Sequence, residues 1–176
     1  MTEQVQENGK IRIGGIKLSR ELILLKQSFS VADNPSIFPI YARLAQGKIN
    51  ITYLSAIQKG KLIHISCLAA NEEFNQIQCL QHADSNSDDH IEILPGKSTL
   101  SLFPHQGRFD LLGRILGAFG EAHIKLYGFS SSISALTFVI DYNQQETAVS
   151  AIIEYLELPH NHTPFQSALS FVEKRS

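Results

Sequence analysis

The order strand, loop, helix, strand, turn, strand occurs twice in this sequence, and no other feature constrains the fold as tightly. The clearer copy runs over residues 98–141, STLSLFPHQGRFDLLGRILGAFGEAHIKLYGFSSSISALTFVID. Residues 99–103 read as a strand, and the loop from Pro104 to Phe109 leads to Asp110, a predicted helix N-cap. Leu111, Leu112, Ile115, Leu116 and Phe119 then recur at helical spacing. Gly113, Gly117 and Gly120 interrupt that helix. Each costs up to about 1 kcal/mol relative to alanine, so they are expected where the helix backbone makes a close approach, most simply to the underlying sheet, with a helix–helix contact with the other unit as the alternative. Residues 124–129 read as the second strand, Ser130-Ser131-Ser132 as the turn and 133–141 as the return strand. Asn143 and Glu146 have capping-box spacing, opening a helix with Val149, Ile152, Ile153 and Leu156 on one face. A last strand is expected around 165–172.

The looser copy occupies residues 21–69. A strand over 21–30 is followed by the turn VADNPS, in which Asn34 precedes Pro35 and is biased away from helix. Ser36 is the expected N-cap, Ile37, Ile40, Tyr41 and Leu44 the buried stripe, and Gly47 the stop. A strand over 49–57 ends at the hairpin signal Gln58-Lys59-Gly60-Lys61, and Leu62, Ile63, Ile65 and Leu68 return. Asn71 is the predicted cap of a helix carrying Glu72 and Glu73 in its first turn and Phe74, Ile77 and Leu80 on its buried face. The polar connection 82–90 spaces Asp84, Asn86 and Asp88 like a calcium loop. Asp89 stands where the turn glycine belongs and Pro95 where the bidentate glutamate belongs, so calcium is not expected. Residues 90–94 read as a strand and Pro95-Gly96 as a turn. Ahead of this copy, Ile11, Ile13 and Ile16 surround Gly14-Gly15 as a short strand, after a frayed polar start over 1–9.

Both halves therefore read βαββαβ. The fold class is α+β: two ferredoxin-like units, each an antiparallel sheet with helices on one face. The domains are expected at 11–94 and 95–176, with the strand near 11–16 able to complete the second unit.

Composition narrows the function. Net charge is −2 over 176 residues, so no basic footprint for nucleic acid exists. No apolar run reaches the length of a membrane span, and no signal-peptide pattern opens the chain; a cytoplasmic protein is expected. Cys67 and Cys79, in apolar surroundings, are expected as a reduced, buried pair. Catalytic patterns are missing. Gly14-Gly15 is too short to cradle a phosphate, and Ser130-Ser131-Ser132 has no placed base. His64 on an apolar strand reads as a satisfied, partly buried histidine. His160-Asn161-His162 lacks the acid or thiol that would complete a metal site. Neither enzyme activity, cofactor nor metal is expected. Two polar loops remain, 31–36 and 104–110, each leading into a helix whose free N–H groups suit a carboxylate such as that of an amino acid.

Residues 98–141 resemble the second ACT domain of the aspartokinase regulatory region. The family's first strand, its loop, its helix ending in Glu-Ala-Gly and its Ile-Asn-Ile strand fall on STLSLFPHQGRFD, LLGRILGAFGEAH and IKL. Its Ser-Thr-Ser-Glu turn and final strand fall on 130–141. Residues 21–68 resemble the preceding ACT domain, with DNPS at Asp-x-Pro-Gly and Lys48-Ile49-Asn50-Ile51 at Val-Asn-Ile. The segment 12–15 is similar to a strand that crosses to complete the second sheet. The resemblance implies a non-catalytic sensor without a kinase domain, binding an amino-acid effector where ACT units meet, dimerising through ACT pairing and acting on a partner enzyme. Carried over by position, Asp33 faces the ligand's amino group, with Asn34, Pro35 and Ser36 around it. Asn50 and Ile51 offer strand contacts, as do Gly107, Arg108, Phe109, Asp110, Lys125, Ser130 and Ser131 in the second unit. Phe109-Asp110 replaces the family's Pro-Gly, Ile133 its glutamate and Lys125 its asparagine. An acid at that helix start repels a carboxylate, which favours the first loop as the pocket. The alternative is an ACT pair that has lost its ligand and serves as an oligomerisation module.

Overall fold

In the computed structural model, which describes residues 9–30, 39–82, 91–104 and 108–159 (side chains of 39, 40, 81 and 82 excepted), two units separate by contact. One is Met1–Arg20 with Ser98–Ser176, the other Glu21–Lys97. Residues 11–20 thus go with the later half, and the division falls after Lys97 rather than after residue 94. In chain order the elements are β1 (Ile11–Arg12), β2 (Gly15–Leu18), β3 (Leu22–Ser30), α1 (Pro39–Gln46), β4 (Ile51–Lys59), β5 (Leu62–Ala70), α2 (Phe74–His82), β6 (Glu92–Phe103), α3 (Phe109–Glu121), β7 (Gly128–Ser131), β8 (Leu136–Asp141), α4 (Gln145–Ile152) and β9 (Leu156–Glu157).

In the unit Glu21–Lys97 the sheet order is β4-β5-β3-β6, antiparallel throughout. Strand alternation puts Ile23 and Leu25 of β3 and Cys67 and Ala69 of β5 on one face. Leu44 of α1 and Ile77 of α2 close that core, with Phe74 and Leu80 packed at its edge. Each such side chain contributes about 1.5–3 kcal/mol on full burial. Gly60, at φ 61°, forms the β4–β5 hairpin as expected. Pro95-Gly96 does not turn the chain; β6 runs straight through it. Leu22 pairs with Lys97 and Leu24 with Leu94, so β6 holds one residue more than β3 over that stretch. The extra residue is a bulge: Pro95 has no N–H to donate, and Gly96, at φ 69°, takes the left-handed backbone. Asn71 caps nothing. It begins a 3₁₀ turn, Asn71–Glu73, that leads directly from β5 into α2. Nor are the cysteines a buried pair, since Cys79 on α2 is exposed. Burial pushes the Cys67 thiol up to about 11.

In the other unit β2 pairs antiparallel with the C-terminal part of β6, followed by β8 and β7, and β1 pairs in parallel with β9. Leu111, Ile115 and Phe119 of α3 and Val149 and Ile152 of α4 pack on Leu100, Leu102 and Phe138. Phe119 meets Phe138 edge to face at 5.3 Å, the favoured geometry for an aromatic pair. Gly14 sits between β1 and β2, where a Cβ would lie 2.6 Å from Pro104 Cδ and 2.7 Å from the Phe103 carbonyl. Only glycine fits that crossing.

Several expectations for this unit need correction. The ladder covers Gly128–Ser131, not 124–129, and the turn is Ser132 to Ala135, closed by the Ser132 N–H donating to the Ala135 carbonyl at 2.8 Å. The Asn143–Glu146 capping box does not form; a 3₁₀ turn, Tyr142–Gln144, enters α4 without a side-chain cap. Ile153 is 37% exposed, outside the buried stripe. Gly113, Gly117 and Gly120 meet nothing: a Cβ on any of them would find no neighbour within 4 Å. They lie on the outer face of α3, opposite Leu111, Ile115, Ala118 and Phe119, and no contact in the structure explains them. The strand expected at 165–172 lies outside the described residues.

Candidate functional site

The two units end their first helices identically. After α1, the N–H of Lys48 bonds the Ala45 carbonyl and that of Ile49 the Leu44 carbonyl. After α3, His123 bonds Gly120 and Ile124 bonds Phe119. Both are Schellman motifs, with Lys48 (φ 56°) and His123 (φ 53°) in the left-handed position. The helix stop is therefore Lys48 rather than Gly47. A Cβ on Gly47 would lie 2.7 Å from Gln76 Nε2, the far end of an exposed side chain that can move aside. Ile49 and Ile124 anchor each motif in its core. This equivalence sets Asn50 of one unit against Lys125 of the other. Both are exposed. The Lys125 ammonium lies 4.8 Å over the Tyr127 ring, and the Lys125 backbone N–H donates to Gln144 Oε1 at 3.3 Å.

At the other end of α3 the arrangement differs from the expected cap. The helix starts two residues early, so Arg108 occupies the N-cap position without a side-chain cap bond. Its guanidinium clamps Asp110, Nε to Oδ1 at 2.8 Å and Nη2 to Oδ2 at 2.6 Å. The Arg108 hydrogen bonds hold the Asp110 carboxyl down at about 2. A carboxylate arriving here meets a self-neutralised pair rather than free helix N–H groups alone. Phe109 is 80% exposed.

In the unit of Met1–Arg20 with Ser98–Ser176 the described candidate residues separate into two ends. Arg108, Phe109 and Asp110 stand at the start of a 13-residue helix, and Lys125 follows it, about 20 Å away at 1.5 Å per residue. Ser130 and Ser131 are exposed on β7. Ser130 pairs with Thr137, whose hydroxyl is 2.9 Å from that of Ser101 near the C-terminal end of β6. They share the end at which the chain enters α3. In the unit Glu21–Lys97, Ile51 pairs with Ala69, the partner of Ile23, near the start of β3. The chain leaves β3 at Ser30, opposite Leu62 and Lys59 at the far end of β4, roughly 25 Å from Ile51 along the strand. Asp33, Asn34, Pro35, Ser36 and Gly107 lie outside the described residues, as do His160 and His162 and the loop carrying Asp84, Asn86 and Asp88. The described candidates of the unit Glu21–Lys97, Asn50 and Ile51, are neighbours at one end, whereas those of the other unit are divided between two.

Among the described residues no group of three or more His, Cys, Asp or Glu could hold a metal ion, and no helix is long and apolar enough to cross a membrane. His64 is satisfied as expected: its Nδ1 is 2.7 Å from the hydroxyl of its cross-strand partner Ser28.

No protein-family model matches the sequence, and no curated protein matches it. Solved structures do. The ligand-free regulatory subunit of aspartate kinase from Thermus thermophilus superposes with a TM-score of 0.70 over 82% of this chain and 99% of its own, at 13% identity. Aspartate kinase from Clostridium acetobutylicum gives 0.67 at 13% identity, over 88% of this chain and 37% of its own. E. coli aspartokinase III in complex with lysine and aspartate gives 0.58 at 15% identity, over 89% of this chain and 35% of its own. At such identities the likeness establishes the fold alone: two ferredoxin-like units of the kind found in aspartokinase regulatory regions.

Proposed function

We propose that this chain is a non-catalytic regulatory protein whose two units are tandem ACT domains, and that it binds an amino-acid effector where ACT units of two copies meet. The observation that carries the reading is the edge strand β4. It ends the sheet of its unit and leaves Leu54 and Ile57 each 63% exposed. An unpaired strand edge with apolar side chains is a template for another strand, and a two-fold axis makes the pairing self-complementary. In such an antiparallel β4–β4 pairing the start of one β4 lies beside the end of the other. Asn50 and Ile51 of one copy then share an end with the first loop of its partner, carrying Asp33 to Ser36. The separation of about 25 Å within one unit is thereby removed.

In this arrangement Asp33 takes the effector's ammonium group and the α1 N-terminus its carboxylate. The solved E. coli aspartokinase III, bound to lysine and aspartate, supports an amino acid as the ligand class. Binding across the interface couples effector to assembly, and a regulated enzyme would read that change. The Arg108–Asp110 pair makes the second unit's loop the weaker pocket and gives some weight to a module that only oligomerises. Sedimentation over a concentration series tests both readings. The effector reading expects a dimer whose dissociation constant falls when one amino acid is added. A dimer indifferent to every amino acid favours the oligomerisation module, and a monomer at all concentrations refutes both.

A further inference from the structure

On the face of the Glu21–Lys97 sheet turned away from α1 and α2, the strand register sets polar side chains in two rows. Lys26 of β3 is the partner of both Ser66 on β5 and Glu92 on β6. Two residues along β3, and so on the same face, Ser28 pairs with His64. Together Lys26, Ser28, His64, Ser66 and Glu92 line an open groove of about 380 Å³, within the size range of small-molecule sites. Gln27 and Ile65 lie between them along the strands, and alternation turns their side chains to the other face.

A polar outer face is ordinary for an antiparallel sheet. A concave one that gathers an ammonium, a carboxylate, an imidazole and two hydroxyls is a binding surface with a definite preference. Glu92 disfavours a simple anion such as phosphate, and Lys26 disfavours a simple cation. A molecule carrying both charged groups on a single carbon suits the pair. The Ser28 hydroxyl at 2.7 Å occupies His64 Nδ1, which leaves Nε2 as the ring's other hydrogen-bonding atom. We propose that this groove binds a free α-amino acid as a zwitterion, its carboxylate held by Lys26, His64 and the serine hydroxyls and its ammonium by Glu92. The site uses none of the interface residues, so it stands independently of the effector site proposed above.

Amide resonances of residues 26–28, 64–66 and 92 report on it in the full chain. Each common free L-amino acid is added at about 10 mM, enough to occupy a site with a dissociation constant near 1 mM. At least one amino acid is expected to shift this set, and Asp33→Ala protein is expected to give the same shifts. Glu92→Gln should weaken that amino acid about tenfold or more with an unchanged melting temperature, and N-acetylating the amino acid should weaken it comparably. Failure of every amino acid to shift these amides overturns the proposal. Shifts that survive both Glu92→Gln and N-acetylation also overturn it, since they require only a carboxylate. Loss of the shifts in Asp33→Ala assigns them to the interface site and overturns it as well.

Discussion

Replacing both Leu54 and Ile57 by lysine should abolish dimerisation while leaving each copy folded. Each side chain is 63% exposed, and full burial of such a side chain is worth about 1.5–3 kcal/mol. Covering the exposed part therefore gives about 1–2 kcal/mol, and a two-fold pairing covers four side chains. The double variant should lose roughly 4–8 kcal/mol of association free energy, or about three to six powers of ten in the dimer dissociation constant. Lysines facing one another across the edge add repulsion. Within one copy both positions are at the surface, where substitutions usually stay within about 0.5 kcal/mol, so the melting curve of the monomer should hardly move. Sedimentation velocity gives the assembly and far-ultraviolet circular dichroism the melt. A double variant that dimerises as tightly as the parent would show that β4 is not the interface, and the shared-end argument for Asp33, Asn50 and Ile51 would fall with it.

The glycines offer a contrast in sign. Gly14→Ala must push main chain and Pro104 aside and should cost about 1–3 kcal/mol, whereas Gly113→Ala and Gly117→Ala enter open space and should each add about 0.5–1 kcal/mol. Urea unfolding checks this, and effects of one sign at all three positions would contradict the packing described. In native protein Ellman's reagent should label Cys79 rapidly and Cys67 only on unfolding, because Cys67 is buried and its thiol lies at about 11; two equally fast thiols would contradict the core. Asp110 should titrate at about 2, below its ordinary 3.8, when followed by its side-chain carbon resonance. A depressed carboxyl stabilises the fold above the ordinary value, and that contribution is lost as pH falls through about 2; with both groups half exposed it is small. Arg108→Ala should return Asp110 towards 3.8, and no movement would show that the clamp is not the cause.

The order of elements was legible because it rests on apolar periodicity, and Ile23, Leu44, Ile77, Ile115 and Phe119 lie in the cores that periodicity predicts. The errors cluster where one composition serves two geometries. Pro95-Gly96 carries turn chemistry, and a bulge uses the same chemistry without reversing the chain. Asn71, Asp110 and Asn143 have capping side chains, yet two of their helices are entered through 3₁₀ turns and the third starts two residues early. The helix stops use Lys48 and His123, where glycine is the usual signal. The isoleucines that follow, Ile49 and Ile124, were the available hint, since a Schellman motif buries the residue after the left-handed one. Nothing local announces the groove, because Lys26, Ser66 and Glu92 meet only through the β5-β3-β6 register. Asn50 and Lys125 were identified separately through a resemblance, and the structure shows them to be equivalent positions of a repeat.

Thermal unfolding against a panel of amino acids tests the central claim most directly. A ligand at 100 times its dissociation constant adds about 2.7 kcal/mol, and at this size each kcal/mol is worth roughly 2–4 °C. One amino acid should raise the melting temperature by roughly 5–10 °C, Asp33→Ala should abolish most of that shift, and Glu92→Gln should retain it. Flat melts across the whole panel, in a protein that dimerises normally, would contradict effector binding and leave the oligomerisation module standing.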